Sequence, residues 1–233
     1  PAWWIAPAVG AASFLATGAK ETGSVTPALL VAALAVVPSP AAPFAARLRR
    51  GWPALATSVA GVLLCQSLRP AEVTTGIGRS ALGWQDAVNL AGAFSYQIAR
   101  VVAPIDFAPY VPITPTDAGH LLLAAVGGLG LALLALAPDR TGGRRLGALW
   151  FLIAVAPAVA VVLADFSVTP VAERRLYLGM VGIALLAASA LEARRARGVP
   201  VIAAVAVILA TLLATTVTRN RHWRDELSLW SAV

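Results

Sequence analysis

The chain has very few of the residues that form disulfides or bind metals. Among 233 residues there are one cysteine and two histidines. These numbers exclude a disulfide framework, and they predict neither a zinc site nor any other metal site. Cys65 lies inside an apolar stretch, where core packing explains it. No cofactor is predicted from the residues.

Charged residues are also scarce. Only 12% of the residues are charged, 59% are hydrophobic, and the mean hydropathy is +0.79. A water-soluble domain of this length could not cover so much apolar surface, so a lipid bilayer is the expected partner. The net charge of +7 could suit nucleic acid. However, the basic residues lie at the ends of apolar stretches rather than along one face, and nucleic acid is not expected.

Seven apolar stretches without an internal charged residue determine the predicted fold. Each is on the order of 16 to 21 residues, against the roughly 20 that a helix needs to cross the hydrocarbon region. They are too long and too evenly apolar for barrel strands, so the sequence predicts an all-α polytopic membrane protein with seven spans. The stretches are Trp3–Ala19, Thr26–Ala46, Trp52–Leu68, Ala118–Pro138, Leu146–Asp165, Leu176–Leu191 and Pro200–Val217.

The long segment between the third and fourth spans contains an eighth helix by its periodicity. Leu90, Phe94, Ile98 and Val101 recur at helical spacing, with polar residues on the other faces. This pattern predicts an amphipathic helix near Gln85–Val102 that lies along the membrane interface. Trp84 and Tyr96 are expected at headgroup depth.

The loops differ in their acidic residues. If the spans alternate, the arginine clusters at 47–50, 140–145 and 194–197 share one side of the membrane. Lysine and arginine are divided evenly between the two sides, but the first side carries only Asp139 and Glu192 as acids. We therefore expect the short basic loops in the cytoplasm and the loops of mixed charge outside. Chemistry is then expected at the outer face.

The first candidate group is Lys20 with Glu21, which connect two spans through a very short loop. A cation and a carboxylate held at the membrane surface could position an anionic ligand such as a lipid phosphate. A plain turn, whose two charged side chains extend to water, explains the same residues.

The second candidate group is Glu173, Arg174 and Arg175, with Tyr177 just inside the following span. Two guanidinium groups beside a hydroxyl could bind a phosphate, because arginine offers planar, multidentate donors. Ordinary interfacial anchors are the alternative. Arg219, at the end of the last span, is a weaker candidate of the same kind.

Four motifs occur in one order along nearly the whole chain. They are Lys20-Glu21-Thr22 with Pro27, Pro104-Ile105-Asp106 to Tyr110, Ala172-Glu173-Arg174-Arg175-Leu176-Tyr177, and Arg219-Asn220-Arg221-His222-Trp223 leading into Leu229-Trp230-Ser231-Ala232-Val233. Their order and spacing resemble the membrane region of a known family, the tetratricopeptide-repeat O-mannosyltransferase-like proteins of the GT-C glycosyltransferase superfamily. One departure is Gly179, where the family typically has proline after Tyr-Leu.

The resemblance implies a GT-C-like fold and a polyprenyl-phosphate-linked sugar as donor substrate. It implies transfer at the outer face of a bacterial inner membrane, by a membrane module at 1–218. Residues 219–233 would begin an extracytoplasmic repeat region that could bind a protein acceptor. Lys20, Glu21, Glu173, Arg174, Arg175, Tyr177 and Arg219 would surround the lipid phosphate.

The family's catalytic acids lie in its first extracytoplasmic loop, which has no counterpart in this sequence. No catalytic residue is therefore assigned, and the catalytic acids are expected upstream of a chain that looks like a fragment. Two alternatives stay open. One is a membrane enzyme of the O-antigen ligase or polymerase type, and the other is a non-catalytic anchor for a tetratricopeptide-repeat domain. A transporter is disfavoured because no span has an ionisable residue in its interior.

Overall fold

The computed structural model describes residues 3–37, 43–69, 83–102, 116–139, 141–163, 176–194 and 199–220. Within these ranges the chain forms α-helices and short 3₁₀ turns and contains no strand, so the prediction of an all-α fold is confirmed. The 3₁₀ turns are Glu21–Val25 and Val161–Leu163. The helices are α1 Ile5–Ala19, α2 Thr26–Val36, α3 Phe44–Ser67, α4 Trp84–Val102, α5 Ala118–Leu136, α6 Gly143–Ala160, α7 Tyr177–Arg194 and α8 Val199–Asn220.

Helix α6 contacts most of the other helices. It packs most extensively on α7, and it also contacts α2, α4, α5 and the 3₁₀ turn that follows α1. Its fully buried residues include Ala148, Phe151, Ala154 and Val155. The alternation of small residues with one large aromatic ring lets several helices approach α6 from different sides.

Helices α1 and α3 form the other extensive pair, through an interface of small and hydroxyl-bearing residues. The hydroxyls of Ser13 and Ser58, both completely buried, are hydrogen-bonded at 2.7 Å. The Thr57 hydroxyl donates to the carbonyl of Ala6 at 2.6 Å. At Gly61, an added Cβ would lie 2.3 Å from the carbonyl oxygen of Gly10. The two backbones therefore approach closely, as helices in membranes commonly do.

Large apolar side chains, in contrast, are exposed on the outside of the helices. On α5 they form one stripe of Leu122, Val126, Leu129, Leu133 and Leu136, each between 58% and 77% exposed. By length and composition, α5 and the stretch Gly143–Leu163 could each cross a membrane, and only 11% and 33% of their apolar windows are buried. One face of α5 is therefore not covered by protein, whereas no large apolar side chain of Gly143–Leu163 is exposed.

The prediction of seven full-length spans differs from the helices that form. Among the described residues, only the two helices just named are both long and apolar enough to span. Helices α1, α2 and α7 are apolar but shorter. The predicted span Thr26–Ala46 is wrong, because α2 ends at Val36 and α3 begins at Phe44. Pro38, Pro40 and Pro43 fall in this interval, and proline cannot donate the hydrogen bonds that a continuous helix needs.

The predicted loop at 47–50 is also wrong, because α3 has already begun at Phe44. Arg47, Arg49 and Arg50 lie in the first turns of α3, which continues through Pro53. The Arg47 guanidinium donates to the carbonyl of Val37, directly after α2. An arginine that the charge pattern assigned to a loop thus satisfies a carbonyl at the end of the neighbouring helix.

Helix α4 confirms the predicted helix near Gln85–Val102, but its surroundings differ from the prediction. Phe94, Ile98 and Val101 pack in a cluster around Phe151, so the apolar face covers protein. Tyr96, expected at headgroup depth, is buried, because it packs against the end of α6. Periodicity identified the helix correctly but could not distinguish a lipid neighbour from a protein neighbour.

Candidate functional site

Lys20 occupies the junction between α1 and the 3₁₀ turn that follows it. Its backbone is extended, its amide donates to the carbonyl of Ala16, and its own carbonyl accepts from the amide of Gly23 at 2.9 Å. Gly23 lies so close to α1 that an added Cβ would be 2.3 Å from the backbone of Ala16. Only glycine fits there, so the turn fixes the backbone of Lys20, whose side chain is half-buried.

Arg69 reaches the same end of α1 from the end of α3. Its guanidinium donates to the carbonyl of Thr17 at 2.6 Å, in a partly buried position. Thr17 is completely buried and its hydroxyl bonds to the carbonyl of Ser13, so the carbonyl of Thr17 is held in place. Lys20 and Arg69 therefore lie at the same helix end, and sequence reasoning did not select Arg69.

The other predicted site residues are only partly described. Glu21 begins the 3₁₀ turn and Arg219 lies in the last turn of α8, but their side chains lie outside the described residues, as do 173–175 entirely. Tyr177 is the first residue of α7 and is 75% exposed. Leu176, directly before it, is buried in one cluster with Ile98, Phe151 and Val155. The Tyr177 ring therefore does not share the buried surroundings of its neighbour.

Helix α4 carries a buried polar face that the sequence analysis did not select. Gln97 is 1% exposed, and its side-chain carbonyl oxygen has no hydrogen-bond partner among the described residues. The Arg100 guanidinium lies over the ring of Tyr96, 4.8 Å from its centre. Tyr96, Gln97 and Arg100 are spaced so that they share one helix face. That spacing, together with the buried neighbour Ala93, is the signal that could have identified this face.

The residue before α7 shares a buried cluster with α4 and α6. Leu176 lies in one cluster with Ile98, Phe151 and Val155, and Val159 and Val162 pack against the neighbouring cluster of Ala93 and Tyr96.

Two aspartates at helix starts have structural partners. The carboxylate of Asp117 caps α5 by accepting from the amides of Gly119 and His120, and it contacts the His120 ring nitrogen Nδ1 at 2.5 Å. The bond from the His120 amide is the main cause that lowers the pKa of Asp117, and the imidazole lowers it further. Helix capping is therefore sufficient to explain Asp117.

Asp139 has the same role before α6. Burial opposes ionisation and is the largest single influence on this carboxyl. The amides of Thr141 and Arg144 and the Thr141 hydroxyl together outweigh it, so the pKa of Asp139 is lowered. Its oxygens accept from the Thr141 and Arg144 amides at 3.2 and 2.8 Å. Asp139 thus holds the turn between α5 and α6 together.

Within the described ranges, no group of three or more histidine, cysteine or acidic side chains could hold a metal ion. Comparison of the chain with protein-family models, curated proteins and solved structures finds no match. The resemblance to the GT-C glycosyltransferases therefore depends on the sequence motifs. The described geometry contributes two polar groups, Lys20 with Arg69 and the Tyr96–Arg100 face of α4.

Proposed function

We propose that this chain is the helical membrane module of a bacterial glycosyltransferase that uses a polyprenyl-phosphate-linked sugar. The module would transfer the sugar to an acceptor at the extracytoplasmic face of the inner membrane. The observation that carries the proposal is that Lys20 and the Arg69 guanidinium lie at the same end of α1. A second cation at the helix end that Lys20, the first residue of the family motif, occupies suits a phosphate leaving group.

The membrane location is supported by the arrangement of apolar surface. The five large side chains on one face of α5 are exposed, although contiguous apolar patches of that kind are uncommon on soluble monomers. The α1–α3 interface uses hydroxyls and glycines instead, as membrane helices often do. In this proposal α1, α2 and α7 cross together with residues that flank them.

In the proposed reaction, the acceptor hydroxyl attacks the anomeric carbon of the sugar and the bond to the lipid phosphate breaks. The hydroxyl proton passes to a carboxylate that the resemblance puts upstream of this chain. Lys20, Arg69, Arg174 and Arg175 would stabilise the negative charge that develops on the phosphate. Such contacts are strongest where water is excluded. Glu21 and Glu173 would hold these cations in position.

The test is sugar transfer in proteoliposomes that contain the complete protein and a radiolabelled polyprenyl-phosphate sugar. Lys20→Ala or Arg174→Ala should lower transfer by about ten- to a thousand-fold, equivalent to about 1.4 to 4 kcal/mol. Arg49→Ala is the matched control, because Arg49 is exposed near the opposite end of α3 from Arg69. Wild-type rates in well-folded Lys20 and Arg174 variants would refute the proposed phosphate site. No transfer by the complete wild-type protein would favour the non-catalytic anchor.

Orientation is tested separately by cysteine labelling in a Cys65→Ser background. Arg49→Cys and Trp84→Cys introduce thiols at two exposed positions. We expect a membrane-impermeant reagent to label position 84 in intact cells and position 49 only after the membrane is opened. The reverse pattern would put the Lys20–Arg69 end of α1 in the cytoplasm and would contradict transfer at the outer face.

A further inference from the structure

A groove of about 770 Å³ lies between the α5–α6 turn and the second half of α7. Its volume falls within the range of about 300 to 1,000 Å³ that is typical of small-molecule sites. Its walls combine apolar residues of α5 and α7 with polar residues at the ends of α5, α6 and α7. The lining includes Leu134, Ile183, Leu186, Asp139, Arg144 and Glu192.

The two kinds of lining separate along the helices. Leu134, Ile183 and Leu186 lie in the helices themselves, whereas Asp139 lies in the turn after α5 and Arg144 at the start of α6. Glu192 lies in the last turn of α7. The groove therefore has an apolar part along the helices and a charged part at the helix ends, beside the turn. This is the distribution of an acyl chain joined to a polar headgroup.

Arg144 is held firmly at the charged part. Its amide donates to the carboxylate of Asp139 at 2.8 Å, and its guanidinium donates to the carbonyl of Pro138. A guanidinium has five N–H donors, so a bond to one carbonyl leaves others, and a phosphate oxygen is a suitable acceptor for arginine.

Glu192 supplies the opposite charge. Its side chain is exposed in the groove. Both Arg144 and Glu192 are described, and they do not form an ion pair with each other. The oxygens of Asp139 already accept from the Thr141 and Arg144 amides. Glu192 is thus the carboxylate in the groove that has room for an external cation.

We propose that this groove binds one phosphatidylethanolamine molecule of the surrounding bilayer. Arg144 would donate to the lipid phosphate, Glu192 would accept from the ammonium group, and an acyl chain would lie along Leu134, Ile183 and Leu186. Phosphatidylglycerol lacks the ammonium group and would be repelled by Glu192. Phosphatidylcholine has no N–H to donate. The proposal rests on the proposed membrane location but does not depend on sugar transfer.

The experiment measures the thermal stability of the delipidated full chain in detergent, with each of the three phospholipids added. We expect phosphatidylethanolamine to bind about tenfold more tightly than the other two, which corresponds to about 1.4 kcal/mol. Glu192→Gln should remove this preference without affecting folding, because the side chain is exposed. Arg144→Lys should weaken binding of all three lipids, and Arg49→Gln should change nothing.

Equal stabilisation by phosphatidylethanolamine and phosphatidylglycerol in the wild-type chain would overturn the proposal. An unchanged preference in Glu192→Gln would do the same. Water-soluble phosphoethanolamine is expected to have no effect, and stabilisation by it would contradict the role of the apolar part. Sugar transfer is read separately. If transfer fails but the lipid preference is present, only the proposed function is refuted. If the preference is absent but transfer occurs, only the proposed lipid site is refuted.

Discussion

Gly61 offers the sharpest test of the α1–α3 interface. In Gly61→Ala, the added methyl group would lie 2.3 Å from the carbonyl oxygen of Gly10 and 3.1 Å from the amide of Phe14. Both atoms belong to the α1 backbone, so the helices must separate. Overpacking of this kind costs about 1 to 3 kcal/mol, and contact with backbone favours the upper value. The gain in helix propensity, about 1 kcal/mol, offsets part of it and leaves a loss of about 2 kcal/mol.

Gly130→Ala is the matched control, because an added Cβ at this position of α5 meets nothing within 4 Å. The control should be neutral or stabilised by up to about 1 kcal/mol. Reversible unfolding in mixed detergent micelles, followed by far-UV circular dichroism, measures both variants against the wild type. Equal stabilities of Gly61→Ala and Gly130→Ala would show that α1 and α3 do not pack as closely as described.

Three further predictions concern hydrogen bonds. Ser58→Ala should destabilise by about 0.6 to 1.7 kcal/mol, and a double-mutant cycle with Ser13→Ala should assign most of that loss to the pair. Near-additive losses would argue against the 2.7 Å bond. Trp150→Phe removes the indole bond to the carbonyl of Leu178 at 3.0 Å and should cost about 1 kcal/mol in the same unfolding assay; no change would contradict that bond. The pKa of Asp117 is lowered from its usual value of 3.8 in the folded chain. The ionised carboxylate therefore stabilises α5 fully at a pH above 3.8. This stabilisation is lost as the pH falls through the lower pKa of the folded state. Protection of the Gly119 and His120 amides, measured as the intrinsic exchange rate at each pH divided by the observed rate, should fall across that interval, whereas Asp117→Asn should show no such step.

Much of the helical pattern could be predicted from the sequence. The starts of α5 and α8 and the extent of α4 follow from apolar runs and periodicity. The interval between α2 and α3 was missed because hydropathy counts proline as only mildly polar. Three prolines in six residues, Pro38 to Pro43, were the evidence that should have ended the span.

The candidate site was predictable to a smaller extent. Lys20 was selected because a charged residue lies next to an apolar run, and the same rule could not identify its neighbour at the end of α1. Arg69 is 49 positions further along the chain and reaches α1 only because α1 and α3 pair. Gln97 lies off the apolar stripe of Leu90, Phe94, Ile98 and Val101, so periodicity alone predicts it to be exposed. Its burial depends on contacts of α4 with α5 and α6, which local periodicity does not contain.

The arginines at helix ends have a shared structural role that bears on both proposals. Arg47, Arg69 and Arg145 each donate to a carbonyl at or just beyond the end of another helix, respectively that of Val37, Thr17 and Ala135. Such carbonyls lack partners within their own helix and carry partial negative charge. A guanidinium has five N–H donors, so capping one or two carbonyls leaves donors for a phosphate. The side-chain type that anchors these helix ends is therefore also able to bind an anion at either end of the bundle. Because capping and anion binding use different donors of the same group, structural use of Arg69 and Arg144 does not exclude the proposed ligands.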